Sequence, residues 1–255
     1  MPGRLSGTVA LVTGASSGIG EATAAMLAAE GAAVAIAARR RERLEGLAAR
    51  MTSGGGRVLV LEADVTGEQQ ARDAVRRTVS ELGRLDILIN NAGVMILGRV
   101  ERADPAQWRQ MLDVNVAALM ILSHAALPHL LEAAAGEPRH VADIVNISSV
   151  AGRAARAGSG AYNATKWAVN AFSEALRQEV TGQHVRVGLV EPGAVDTELV
   201  SHNTDPEVLA RLAQRFGAVE RLTADDIAEV IGFVVTRPRR VAVNEMLVRP
   251  TEQVQ

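Results

Sequence analysis

The chain reads as an α/β protein built on one doubly wound parallel sheet of about seven strands, with helices on both faces. Three observations predict this. Short β-branched runs alternate along the 255 residues with longer Ala-rich stretches of helical period. The runs are continuously apolar, as in Val9-Ala10-Leu11-Val12 and Ile87-Leu88-Ile89, which suits strands buried on both faces. No linker, repeat or low-complexity tract interrupts the alternation, so residues 1–255 are expected to form one domain.

The first strand covers residues 8–13 and runs through a Gly-rich turn into a helix over 20–29. The second strand, 33–38, leads into a helix over 41–51. Ser53-Gly54-Gly55-Gly56 then loops to a third strand at 58–61. A helix over 68–82 precedes the fourth strand, 86–90. A long helix over 105–131 follows, closed by Gly136-Glu137-Pro138-Arg139 before a fifth strand at 143–147. A helix over 161–181, a strand at 185–191, a helix over 224–235 and a strand at 244–248 complete the pattern. Such strand–helix alternation implies right-handed crossovers.

Composition excludes several classes. With 48% hydrophobic and 22% charged residues the chain is not disordered. Aromatics are 2%, so the core is Ala, Val, Leu and Ile, and few rings remain to stack on bases. Twenty-seven basic against 29 acidic residues give a net charge of -2, which speaks against nucleic-acid binding. The absence of cysteine removes disulfides, thiolate catalysis and Cys-ligated metals. The five histidines show no ligand spacing, so no metal site is expected. Residues 1–7 lack signal-peptide architecture, and the longest apolar run, 116–122, is too short to span a bilayer. A cytoplasmic protein without a membrane partner is the expectation.

The turn Thr13-Gly14-Ala15-Ser16-Ser17-Gly18-Ile19-Gly20 joins the first strand to the first helix. Glycines there let the backbone approach a pyrophosphate, and the helix start offers free N–H groups and a positive dipole end. No Gly-Lys-Ser/Thr follows, which excludes a P-loop. The second strand ends at Ala38, where an NAD-binding protein would carry an acid for the ribose 2′-hydroxyl, and Arg39-Arg40-Arg41 follow. A guanidinium suits a 2′-phosphate, so Arg39, with Arg40 beside it, points to NADP(H). For Arg40 and Arg41 a solvated charge run is the alternative.

Tyr162, the only tyrosine, and Lys166 lie four apart at the head of a helix and so share one face. A nearby ammonium would lower the phenol pKa from about 10 toward the working pH, as a proton donor to a reduced carbonyl requires. Ser149 lies thirteen residues upstream at the end of a strand, where open α/β sheets bind ligands.

Together with Asn90-Asn91-Ala92-Gly93 and Pro192-Gly193 before Thr197, these motifs resemble the short-chain dehydrogenase/reductase family, a Rossmann-type fold, over nearly the whole chain. The Ala38-Arg39-Arg40 turn and the end at Asn244–Thr251 are most similar to its clavulanate-aldehyde and serine/3-hydroxy-acid dehydrogenase branch. Two departures are a longer connection over 133–142 and Asp143, where a small residue is common. The resemblance implies that Ser149 holds the substrate oxygen and that Tyr162 is the acid/base. Lys166 would hold the nicotinamide ribose, and Asn115 would anchor a water in the proton relay. It further implies cofactor contacts at Gly14, Ser16, Ser17, Gly18, Ile19 and Gly20. Asp64 and Val65 would meet the adenine, and Asn91, Ala92 and Gly93 the adenosine ribose. Pro192, Gly193, Val195 and Thr197 would meet the nicotinamide end. On sequence alone, Asn91 and Asn115 read as turn or cap residues, and only the resemblance gives them a role in the site.

Substrate contacts are expected from Met95, Val150, Ala194 and His202, under a lid over about 196–220 in which Asp205-Pro206-Glu207 starts a short helix. Arg153 and Arg156 at the mouth would select a carboxylate-bearing carbonyl, or are simply solvated. The leading reading is an NADPH-dependent carbonyl reductase. The same groups would serve an alcohol dehydrogenase working oxidatively, and a noncatalytic dinucleotide sensor is the alternative from another class. The apolar faces of the helices 105–131 and 161–181 suggest a homotetramer.

Overall fold

A computed structural model describes residues 3–254. Its strands are β1 (Val9–Thr13), β2 (Ala33–Ala38), β3 (Val58–Glu62), β4 (Ile87–Asn90), β5 (Ala142–Ile147), β6 (Val185–Pro192) and β7 (Glu245–Val248). They form one parallel sheet in the order β3-β2-β1-β4-β5-β6-β7. The helices are α1 (Gly18–Ala29), α2 (Arg41–Ser53), α3 (Glu68–Leu82), α4 (Pro105–Leu112), α5 (Ala118–Ala135), α6 (Gly160–Val180), α7 (Pro206–Phe216) and α8 (Ala224–Val235).

Period-two alternation divides the apolar strands between two cores. Leu11, Leu88, Ile144 and Val187 face α3, α5 and α6, while Val12, Ile36, Ile89 and Val145 face α1, α2 and α8. The predicted helix over 105–131 is α4 and α5 joined by a π turn, Asp113–Ala117, so the rod runs unbroken from Pro105 to Ala135. Asp104 caps its start by accepting Ala106 N–H at 2.9 Å, and Pro105 takes the first helical position. By length and composition alone this rod could cross a bilayer, which a count of uninterrupted apolar residues misses. It lies along the sheet instead, with Leu119, Leu122, Ala126 and Leu130 buried.

Buried polar groups tie the layers together. Asn90 Nδ2 donates to Ser123 of α5 (3.1 Å) and to Asn146 of β5 (2.8 Å), and Asn146 donates to Ser173 of α6 (2.8 Å). At the opposite end of the sheet Asp143, 1% exposed, accepts Arg186 at 2.7 and 3.0 Å and Arg139 at 2.7 Å. Arg186 also donates to the carbonyls of Val235 and Val241 and so anchors the end of α8. The longer connection over 133–142 supplies Arg139, so both sequence departures belong to one structural knot. Removing the carboxylate leaves two largely buried guanidiniums uncompensated. Asp143→Ala is expected to cost about 3–5 kcal/mol, read as a lower denaturation midpoint at unchanged m-value.

Candidate active site

β1 pairs with β2 on one side and β4 on the other, so the winding direction of the sheet reverses there. Ligands bind at such a switch point, beyond the carboxyl ends of the strands. A cavity of about 610 Å³ opens there, well within the range of ligand sites. All but three of the residues singled out from the sequence line it. The exceptions are Gly20, Asn115 and Arg153.

The turn after β1 is fastened to the turn after β4. Thr13 Oγ1 accepts the N–H groups of Asn91 (3.1 Å) and Ala92 (3.2 Å), while Asn91 Nδ2 donates to Thr13 O (3.0 Å) and Gly14 O (3.3 Å). Asn91 thus lines the cavity with its amide already engaged in turn chemistry. Gly14 has φ 64°, and a Cβ there would lie 2.9 Å from Ala92 Cα. Gly20 lies behind the turn, where a Cβ would sit 2.4 Å from Asn91 Nδ2. The absence of a side chain there lets the helix pack closely on the turn. Gly18 begins α1 and presents the unpaired N–H groups of that helix to the cavity.

The end of β2 supplies the basic wall. Arg40 donates to Ser17 Oγ (2.7 Å) and to Ser16 Oγ (2.9 and 3.1 Å), so it belongs to the site, whereas Arg41 pairs with Glu45 on the exposed face of α2. Arg39 lines the cavity near Asp64, whose carboxylate accepts Thr66 Oγ1 (2.7 Å) and N–H (3.0 Å) and is held below its usual range by those bonds.

At the other end Ser149 follows β5, and Tyr162 and Lys166 project from the first turns of α6. Ser149 Oγ accepts Ala151 N–H (3.1 Å) and lies 3.4 Å from Pro192 O. Lys166 Nζ donates to Ile147 O (2.8 Å) and stands 5.8 Å from the centre of the Tyr162 ring. The expectation that the ammonium lowers the phenol pKa is not met here. Burial pushes Tyr162 up to about 12, with the neighbouring Ser149 hydroxyl pulling the other way, and burial brings Lys166 down to about 8. The ammonium is turned toward a backbone carbonyl, so desolvation dominates both groups.

Asn115 stands outside the cavity, buried in the π turn. Its Oδ1 accepts Val94 N–H (2.8 Å), and its Nδ2 donates to Val94 O (2.9 Å) and Thr165 Oγ1 (3.1 Å). Its side chain therefore ties the segment after β4 to α6 between Tyr162 and Lys166. Arg153 also turns away. It clasps the fully buried Glu191 through two bonds of 2.8 Å and reaches Glu245, which removes it from the substrate candidates. Asn170 completes this cluster, donating to Glu191 (2.8 Å) and accepting Ser148 Oγ (2.6 Å). Arg156, by contrast, lines the cavity and pairs with no carboxylate among the described residues.

Sequence reasoning missed Asn170, Glu191 and Glu198, each an isolated polar residue without a motif. It also missed that Lys166 is the only lysine among 27 basic residues, a signal in plain view. The short helix expected at Asp205-Pro206-Glu207 is α7, with Asp205 accepting Glu207 N–H (2.8 Å) at its start, and Leu209, Leu212 and Phe216 line the cavity. Asn203 pins its approach, accepting Leu97 N–H (2.7 Å) and donating to Met95 O (3.0 Å).

Residues 8–207 match the short chain dehydrogenase model, and the chain belongs to that family of oxidoreductases. It is 39% identical over 251 residues to the glycine betaine reductase of Emericella nidulans, covering 98% of this chain and only 19% of that longer protein. It is 35% identical over 247 residues to an uncharacterised oxidoreductase of Staphylococcus saprophyticus, covering 96% of each. Among solved structures it resembles a serine dehydrogenase complexed with NADP+ (30% identity, TM-score 0.87, 97% of each chain). It also resembles the alcohol dehydrogenase of the archaeon Thermococcus sibiricus complexed with 5-hydroxy-NADP (28% identity, TM-score 0.85, 97% and 98% covered).

The buried lysine gives a pH signature. Below pH 8 Lys166 is charged in folded and unfolded chains alike, and its desolvation cost is constant. Between about 8 and its usual 10.5 the unfolded chain holds a proton that the folded chain has released, so the cost shrinks as pH rises. Lys166→Met is therefore expected to stabilise the fold at pH 7, by on the order of 3 kcal/mol at most. That gain should fade toward zero by pH 10.5, and urea denaturation at pH 7 and pH 10 reads the difference. An equal gain at both values would contradict the assignment.

Proposed function

We propose that the protein is an NADP(H)-dependent oxidoreductase that reduces a small aldehyde or ketone to the alcohol. The observation that carries this is one cavity with a glycine, serine and arginine wall at one end and Ser149, Tyr162 and Lys166 at the other. The first wall fits a phosphorylated dinucleotide. Its glycines leave room for a close backbone approach, α1 presents free N–H groups, and Arg39 and Arg40 offer charge-assisted bonds to a 2′-phosphate. The NADP named with the solved relatives supports the same choice.

Bound there, the cofactor supplies the hydride. Tyr162 donates its proton to the carbonyl oxygen, and Ser149 directs its hydroxyl at that oxygen. The Lys166 ammonium, charged at neutral pH, favours the phenolate that Tyr162 becomes. Asn115, together with Thr165, acts as a positioning residue that fixes the turn of α6 on which both groups stand. Burial holds the Tyr162 phenol protonated, the form from which a proton donor must start, and the same groups serve either direction. All three groups are in place, which weighs against a noncatalytic sensor. The segment over about 196–220 would serve as the lid, and Arg156, which pairs with no carboxylate among the described residues, suits a substrate with an anionic group.

A panel of carbonyl compounds, keto acids and their methyl esters included, tests the reading through NADPH oxidation. Tyr162→Phe is expected to bind NADPH normally and lose about 10²–10⁴ in turnover. Arg39→Ala is expected to weaken NADPH about tenfold to a hundredfold and to leave NADH nearly unchanged. Near-normal turnover in the phenylalanine variant, or a wild type that prefers NADH, would refute it.

We also propose a homotetramer. Leu112, Met120 and Trp167 stand about half exposed on α4, α5 and α6, and Phe233 and Leu247 do so on α8 and β7. Two separate apolar faces suit two isologous contacts. Light scattering at micromolar concentration should give four times the chain mass, and a monomeric mass would overturn this.

A further inference from the structure

The basic wall of the cavity already holds an anion of the protein's own. Glu198 follows Thr197 on the segment between β6 and α7, and it reaches across to the end of β2. One carboxylate oxygen takes Arg40 Nη1 at 2.8 Å, and the other takes Arg43 Nη1 at 2.6 Å. The remaining nitrogens of Arg40 reach Ser16 and Ser17 in the Gly-rich turn. Two guanidiniums therefore converge on the Glu198 carboxylate, and of the two only Arg40 lines the cavity, at the head of α1. Planar donors flanked by hydroxyls beside a helix start make phosphate chemistry.

We infer that Glu198 is an internal stand-in for the 2′-phosphate of the cofactor, a latch that holds Arg40, braced by Arg43 outside the cavity, until that phosphate displaces it. This rests on the NADP(H) reading above. A phosphate taking Arg40 would sit against the carboxylate, and two like charges about 4 Å apart repel. Glu198 is ionised throughout the neutral range, since Arg43 and Arg40 hold it down to about 2, so loss of its charge does not relieve the conflict. It must move. The displacement is easy because the pairs are surface pairs, with side chains 42–49% exposed, and such pairs hold weakly. A cofactor with a plain 2′-hydroxyl makes no claim on the arginines and leaves the latch closed. Glu198 opens the short 3₁₀ turn Glu198–His202, and Asn203 just beyond is fastened to Met95 and Leu97. Releasing the carboxylate removes one tie on the approach to α7, leaving those made by Asp196 and Asn203. The lid is thereby informed which cofactor is present.

The test is Glu198→Gln, at an exposed position where the fold does not depend on the charge. Calorimetry compares adenosine 2′,5′-bisphosphate with 5′-AMP, and NADPH with NADH, on wild type and variant. The variant should bind the bisphosphate and NADPH about three- to tenfold tighter and leave AMP and NADH unchanged. Hydrogen exchange over residues 198–204 should differ between the NADPH and NADH complexes of the wild type, and this difference should vanish in the variant. Unchanged or weaker bisphosphate binding would overturn the inference, because Glu198 would then orient Arg40 or do nothing. An equal gain for AMP would overturn it too, by showing a general effect of charge. If neither protein binds NADPH or the bisphosphate, the cofactor reading itself fails and takes the latch with it. That result is distinct from NADPH binding that ignores Glu198.

Discussion

Burying the Lys166 ammonium strips it of water, and the group recovers one carbonyl, that of Ile147, at 2.8 Å. No carboxylate pairs with it among the described residues, so its proton is held less tightly than in solution. Such a group is an unfavourable thing to place at the head of a helix, and much of the architecture serves to hold it there. The helix that carries it is fixed to the sheet by Asn146–Ser173 and to the end of β6 by Asn170–Glu191. The π turn at Asp113–Ala117 presents Asn115 to Thr165, one residue before the lysine. A single interruption in a long helix at such a contact agrees with the tendency of π turns to mark functional sites.

Amides and paired carboxylates are the struts of this site. A buried amide satisfies a donor and an acceptor at once, and so joins two backbone segments without a net charge. Asn91 joins the turns after β1 and β4, and Asn115 joins the segment after β4 to α6. Glu191 does the same with charge. It is fully buried at the end of β6, and Arg153 and Asn170 complete its bonding and hold the loop that carries Ser149. A buried acid of this kind persists only with its lone pairs engaged. Arg153 is therefore fixed in the scaffold, and Arg156, three residues on, is left to face the cavity.

The sheet was legible because its strands are buried on both faces. Ala10 and Val12 lie in one core and Leu11 in the other, yet all are apolar, so the run itself betrays the strand. The Tyr162 and Lys166 spacing was legible because four residues on a helix is a statement about space. What escaped was whatever depends on residues far apart in sequence. Arg40 and Glu198 are 158 positions apart, and nothing in either neighbourhood announces the other. Arg153 and Glu191 are 38 apart, and a loop arginine looks the same whether it meets solvent or a buried acid. The direction of the Tyr162 shift was misjudged for the same reason. Spacing places the two groups on one face, but it does not say that the ammonium will turn to Ile147 and leave burial to decide.

Burial moves the two groups in opposite directions, Tyr162 up to about 12 and Lys166 down to about 8, and each shift alone looks like a defect in an acid–base pair. Taken together they favour the passage of a proton. Before reaction the phenol is neutral and the ammonium is charged and poorly solvated, so the lysine bears the larger cost. In the proposed reaction, passage of the proton from Tyr162 to the substrate oxygen would leave a phenolate near that ammonium, both on buried side chains. Each charge then offsets part of the desolvation of the other, which it could not do while the phenol was neutral. The interaction is stronger after proton transfer than before it, and only such an interaction lowers a barrier. On the proposed mechanism, the cost of burying the only lysine in the chain would be recovered at the point where charge develops.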